Sequence, residues 1–370
     1  MDGVQPKASA KALMRAHGTR PNPGLERRHV WSLLIAPAGV VAAVLALRGV
    51  VPHPAAVLAA LHTATAGWVA VAAASEALSM DMFARQQRRL LGAFGVAISL
   101  PRAEALTYAR SALSVSMPAG AVVSAGFAYR QYQSRGASHR VATDVTILSG
   151  VLSMAGLAAL YAVWTGAVVV AGPVRAHPSV AIGVVAALGG GWALARHRSG
   201  RSRHLAATAS HEQPSAVRRA QARVAAHWPR AGRALAPVAD ALEAAAAARR
   251  RDLVVALGYA AANWVADLGC LIAVGHAFGL GLSVAQFAGA YLAVQIIRQL
   301  PLTPGGIGVI EASLLVALVA AGAPHVAAAA VVLVYRVLSC WVIVPTGLAA
   351  WAGLLSARPR THRPRTHRPA

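Results

Sequence analysis

Long apolar runs almost free of charged residues recur along this chain, at 31–47, 55–80, 141–170, 179–195, 253–279, 283–299 and 326–355. A helix needs roughly 20 predominantly apolar residues to cross the hydrocarbon of a bilayer, so each run is a span candidate. The rest of the composition agrees. Of 370 residues, 57% are hydrophobic and only 13% charged, with a mean hydropathy of +0.54, whereas a soluble domain carries about a quarter charged residues. Ala, Gly and Val dominate and aromatics make up 5%, which predicts helices that approach closely through small side chains. The expected fold is an all-α polytopic bundle of about eight spans.

The formal charge of +23 is confined to the gaps between runs. Lys7, Lys11, Arg15, Arg20, Arg27 and Arg28 precede the first run, and Arg85, Arg88, Arg89 and Arg102 follow the second. Arg130, Arg135 and Arg140 form another group, a long basic stretch occupies 196–251, and the tail 356–370 is basic again. Cytoplasmic loops retain Lys and Arg, so these groups mark the inner face and place both termini in the cytoplasm. No aromatic-interleaved basic surface accompanies them, which argues for attraction to anionic lipid and against nucleic acid. The resulting division is a polar tail at 1–29, a transmembrane domain at 30–355 with a basic cytoplasmic insert at 196–251, and the tail at 356–370. Within the insert, the Ala/Arg-rich part from Ser215 onward, with Trp228, Leu235, Val238 and Leu242, is predicted to be a helix on the membrane surface.

Two segments resist a regular span. The stretch 104–129 has basic groups on both flanks and is interrupted by Pro118, Ala119 and Gly120, so two half-helices dipping in and out satisfy the charge rule where a single crossing does not. The run Pro301, Thr303, Pro304, Gly305, Gly306 and Gly308 breaks the chain again in the second half. Paired interruptions of this kind point to a binding site formed where the breaks meet. A half-helix that begins inside the bilayer leaves unpaired N–H groups able to hold an anionic headgroup. Each break also has the simpler reading of a packing kink.

Charges at depth mark the same region, since an ionisable group near the bilayer centre costs at least about 2.5 kcal/mol unless paired or wetted. Asp267 lies in mid-span beside Asn263 and Trp264, Arg298 closes its span, Glu311 follows the Pro/Gly run, and Arg336 sits inside the last span. Arg298 or Arg336 is expected to pair with Glu311 or Asp267, as a structural network or as the lining of a polar path. Glu76 and Asp144 are expected nearer span ends, within reach of the interface. No Gly-rich phosphate loop precedes a Lys-Ser/Thr pair, and the histidines lack metal-ligand spacing, so ATP hydrolysis, metal and other cofactors are not expected. Cys270 and Cys340 sit in apolar runs and are expected to be small hydrophobes, without a disulfide.

Asn263, Trp264 and Asp267, the run from Gln299 through Pro301, Pro304, Gly305, Gly306 and Gly308 to Glu311, and the pair Tyr335 and Arg336 together resemble the flippase-like transmembrane domain of lysylphosphatidylglycerol synthases and their stand-alone relatives. The first half resembles it more loosely, through Met117, Pro118, Gly120, Arg130, Gly136 and Ser138, and no acidic residue follows Gly120. The resemblance spans about 31–355. It implies a bundle with re-entrant segments around Pro118 and Pro304 meeting at a central cavity in the inner membrane of a bacterial cell. It further implies a role in moving an anionic phospholipid or polyisoprenoid-type lipid between leaflets, without the soluble transferase chemistry, so no catalytic residue and no enzyme activity is expected. The substrate-binding set is Pro118, Gly120, Arg130, Asn263, Asp267, Arg298, Thr303, Pro304, Gly305, Gly306, Glu311 and Arg336. The partners expected are membrane lipids with anionic headgroups, and a homo-oligomer or an envelope-lipid enzyme. Two other classes fit the same features: a small-solute secondary transporter, and a non-transporting membrane partner that docks such an enzyme through 196–251.

Overall fold

The structure, a computed structural model, describes residues 54–117, 119–171, 215–298 and 306–356. Every regular element among them is helical: α1 (Pro54–Leu61), α2 (Ala66–Ala93), α3 (Leu100–Ser116), α4 (Gly120–Gln133), α5 (His139–Ala171), α6 (Ala216–His227), α7 (Pro229–Ala247), α8 (Arg250–Ala277), α9 (Val284–Arg298), α10 (Val309–Ala320), α11 (His325–Arg336) and α12 (Ile343–Ser356), with a π-helical turn at Val337–Trp341 joining the last two. Three stretches are long and apolar enough to cross a membrane: His139–Val170, Arg250–Ala277 and His325–Ser356. They coincide with the expected spans 141–170, 253–279 and 326–355. The expected runs 31–47 and 179–195 lie outside the described residues, as do both tails.

Two apolar helices of the second half are short. The 15 residues of α9 span only about 22 Å at the helical rise, and the 12 of α10 about 18 Å, both short of a hydrocarbon core of about 30 Å. The run expected at 55–80 divides into α1 and a 28-residue α2 that continues to Ala93. At about 42 Å, α2 outruns its apolar part and carries Asp81, Arg85, Arg88 and Arg89 in its second half. Around the first interruption, α3 ends at Ser116 and α4 begins at Gly120, with Ala119 in the left-handed region at φ 54°. The two helices pack against each other. Gly120 lies against the Ser114 backbone, where a Cβ would collide with the carbonyl.

Packing centres on α2 and α8, which share the most extensive helix contact in the structure. One apolar core joins them to α5, α9, α10 and α11 through residues such as Ala72, Leu157, Leu271, Phe287, Leu314 and Val331. A second surrounds the far end of α2, with Leu90, Leu91, Leu106, Tyr132, Leu148 and Ala241 from α2, α3, α4, α5 and α7. The described part of the insert, expected as a helix, is a pair of helices, α6 and α7. Ser215 caps α6 through the Arg218 N–H at 3.1 Å, and Arg218 binds Asp240 and Glu243 of α7 at 2.6 and 3.1 Å. The Ser215 hydroxyl and then the Arg218 guanidinium hold the Glu243 carboxyl below its ordinary value. Ala241 and Ala245 seat α7 in the second core, while Trp228 stands exposed.

The small residues set the helix spacing. A Cβ on Gly156 of α5 would lie 2.9 Å from the Ala261 backbone nitrogen of α8, closer than unbonded atoms tolerate. Gly156→Ala is therefore expected to lower stability by about 1–3 kcal/mol, the range for overpacking. Gly258→Ala, on the same helix pair's α8 but with nothing within 4 Å, is expected to lose none. Thermal unfolding of the two variants in detergent measures the contrast.

Candidate functional site

Between α2 and α8 the chain places a seam of polar side chains. The Ser75 hydroxyl donates to the Ala266 carbonyl at 2.8 Å, and the Asn263 amide donates to the Ser79 carbonyl and hydroxyl at 3.0 and 2.7 Å. Trp264 turns the other way and donates its indole N–H to the Ser153 carbonyl of α5 at 2.8 Å. Asn263 thus has a structural task that holds two helices in register.

One turn further along α8, Asp267 is only 8% exposed. Its two carboxylate oxygens each accept a tyrosine hydroxyl, Tyr291 of α9 and Tyr335 of α11, both at 2.7 Å. Three helices therefore converge on one carboxylate. Its expected arginine partner is replaced by two neutral donors, which satisfy the oxygens without cancelling the charge. Facing it from α2 is Glu76, 6% exposed, whose Oε2 has no hydrogen-bond partner among the described residues. Glu76 and Asp267 act on each other electrostatically, and Arg298, the last residue of α9, acts on both. Arg298 is exposed and makes no ion pair among the described residues.

The second pair expected from the sequence does form. Arg336 is 2% exposed, and its Nε lies 2.6 Å from Glu311 Oε1. The other oxygen of Glu311 accepts the Gly308 N–H at 2.7 Å, the reach-back that caps the start of α10. Gly308 has φ 85° and Gly306 φ 68°, a left-handed path that glycine takes without steric cost. Arg336 Nη2 is buried and unpartnered among the described residues. It is also the last residue before the π-helical turn, a local widening frequent at functional positions. Arg298, Glu311 and Arg336 all act electrostatically on Cys340, which puts the three charges in one neighbourhood.

Glu76, Asp267, Arg298, Glu311 and Arg336 accordingly form one charged cluster drawn from α2, α8, α9, α10 and α11. Arg130 stands elsewhere: it is exposed in the last turn of α4 and takes part in none of these interactions. Gly120 starts α4 beside the second core. Pro118, Thr303, Pro304 and Gly305 lie outside the described residues.

Glu76, expected near a span end because the apolar run stops at Met80, lies in the interior of α2, which continues to Ala93. Asp144, likewise expected near a span end, lies in the second turn of α5, 4% exposed, with the exposed Arg140 at 3.8 Å.

A second polar group had no counterpart in the sequence reading. Buried Gln87 accepts Arg110 Nη1 at 2.8 Å and the Tyr132 hydroxyl at 2.9 Å, and donates to Thr107 at 3.0 Å. Arg110 also lies 5.5 Å from the centre of the Phe83 ring. This knot ties α3 and α4 to α2. Arg110, a charge in the middle of the first half-helix, was the signal that marks it.

A family model described as the lysylphosphatidylglycerol synthase TM region matches residues 29–347. No curated protein matches the chain.

The Arg336 and Glu311 pair sets a stability test. Arg336→Met strands a carboxylate whose partner guanidinium is almost fully buried, and about 3 kcal/mol should be lost, the lower end for breaking a buried pair. Adding Glu311→Gln, which keeps an oxygen for the Gly308 N–H, is expected to recover at least half of that loss. Chemical unfolding in detergent compares the single and double variants.

Proposed function

The chain belongs to the lysylphosphatidylglycerol synthase transmembrane-region family, and from that premise we propose that it moves an anionic phospholipid or polyisoprenoid-type lipid between leaflets without an ATPase of its own. The matched region is the membrane part of those synthases, so membership brings a membrane module and not the soluble transferase. Membrane-spanning helices are present in the structure.

One observation carries the reading: a cluster of opposite charges, buried at Glu76, Asp267 and Arg336, with spare valence. Arg336 retains an unpartnered nitrogen and Arg298 has no ion pair among the described residues, while Glu76 keeps an unpartnered oxygen. A cluster serving only to hold helices together gains from closing every pair, because each open group keeps its desolvation cost. Open cations beside the start of α10 are suited to a phosphate headgroup, with the acyl chains left in lipid. Glu311 and Asp267 then balance the cations or meet a headgroup amine, and Glu76 joins them. Movement through such a path needs no covalent step, only contacts that the headgroup exchanges for water on either side.

The test is leaflet exchange of fluorescent phosphatidylglycerol in proteoliposomes. The intact chain is expected to move it at least tenfold faster than empty vesicles, and Arg298→Gln and Asp267→Asn are each expected to cut that rate about tenfold, the effect of losing one charge-assisted contact worth about 1.5 kcal/mol. An intact chain no faster than empty vesicles ends the proposal. Ion-gradient-driven uptake of a soluble solute by the same vesicles would replace it with a secondary transporter.

A further inference from the structure

Away from the charged cluster, a cavity of about 490 Å³ lies at the second half of α2 and the start of α8, lined by Arg85, Arg88, Arg89, Arg249, Asp252 and Tyr259 together with apolar residues of 92–98. The arginines are not equivalent. Arg85 Nε binds both oxygens of Asp81, at 2.9 and 2.7 Å, and Arg89 binds Asp252 at 2.6 Å. Arg88 reaches only a carbonyl, that of Ile98 at 3.2 Å, and Arg249 has no carboxylate partner among the described residues. Arg89 Nε is buried and makes no hydrogen bond among the described residues. Arg249 is also the N-cap of α8, where no side chain caps the free N–H groups, so the positive end of that helix adds to the same field.

A row of basic side chains that only sets topology would face water singly, each hydrated. Here four guanidiniums line one cavity, two are held in place by carboxylates, and at least one donor is buried and unused among the described residues. The rest of the lining, Gly92, Ala93, Val96, Ala97 and Ile98, is apolar and suits an acyl or glycerol moiety. From this juxtaposition we propose that the cavity is a binding site for a phosphoryl-bearing anion, separate from the central cluster. Arg88 and Arg249 supply the uncompensated charge, Arg89 and Tyr259 donate hydrogen bonds, and the 92–98 segment covers the apolar part. The phosphoryl group can come from an anionic lipid headgroup or from a soluble phosphate.

The experiment titrates the purified full chain in detergent with short-chain dihexanoyl phosphatidylglycerol and, separately, with inorganic phosphate. Arg88→Gln and Arg249→Gln are each expected to weaken binding about fivefold. Ala97→Trp keeps every arginine and only fills the cavity, so it covers the event that Arg88→Gln loosens the loop after α2. Arg219→Gln, on α6 and outside the cavity, is expected to change nothing. Phosphatidylglycerol binding that is lost in Ala97→Trp and exceeds phosphate binding by tenfold or more assigns the site to a lipid. Equal binding of phosphate, sensitive to the same two arginines, assigns it to a soluble phosphoryl compound. Binding of both probes that is unchanged in all three cavity variants overturns the proposal. A headgroup held in the central cluster responds to Arg298→Gln and not to these variants, so the two readings fail separately.

Discussion

A carboxylate or guanidinium inside a helical bundle that sits in lipid must find its partners within the protein, since hydrocarbon offers none. That requirement organises the centre of this structure. Asp267 gathers a hydroxyl from α9 and another from α11, and Glu311 joins the start of α10 to the end of α11 through Arg336. Between them they fix how four helices are rotated about their axes. Apolar contacts in a bilayer cannot do this as sharply, because a leucine facing another helix and one facing lipid differ little in energy.

The same demand explains the division of labour along α2. Its first half is small and apolar, with Ser75 and Ser79 meeting Ala266 and Asn263 of α8, so two long helices lie close. Its second half carries Gln86, Gln87, Arg88 and Arg89 and serves polar knots instead: Gln87 with Arg110 and Tyr132, and Arg89 with Asp252. One helix thereby touches both apolar cores and both charged regions. The central cluster combines satisfied and open groups, and the open ones, Arg336 Nη2 and Glu76 Oε2, are where a ligand has something to gain.

Legibility followed the range of the interaction. The helices at 141–170, 253–279 and 326–355 were plain, because hydrocarbon length and apolarity are local properties of a run. The break at Gly120 and the one ending at Gly308 were readable too, from Gly and Pro alone, but not the cap that Glu311 makes there. The pairing of Arg336 with Glu311 was one of four pairings the residues allowed, while the tyrosine donors to Asp267 were not foreseen at all. Tyr291 lies 24 residues from Asp267 and Tyr335 lies 68 away, and nothing in either neighbourhood announces the contact. At Met80 the apolar run ends but the helix does not. Helical propensity carried α2 past that point, since Arg, Gln, Leu and Ala all favour helix in water or in lipid.

By itself, the sequence determined that this chain is a helical membrane protein, where its breaks fall and which charges have to be reconciled with hydrocarbon, because all of these depend on residues adjacent along the chain. Only the tertiary structure decided which charge meets which: Arg336 with Glu311, Asp267 with two tyrosines, Arg298 without an ion pair among the described residues, and four arginines around one cavity that residues of 92–98 also line. Those outcomes turn on the rotation and overlap of distant helices, and a rotation of one residue, about 100°, would have faced any of these side chains elsewhere.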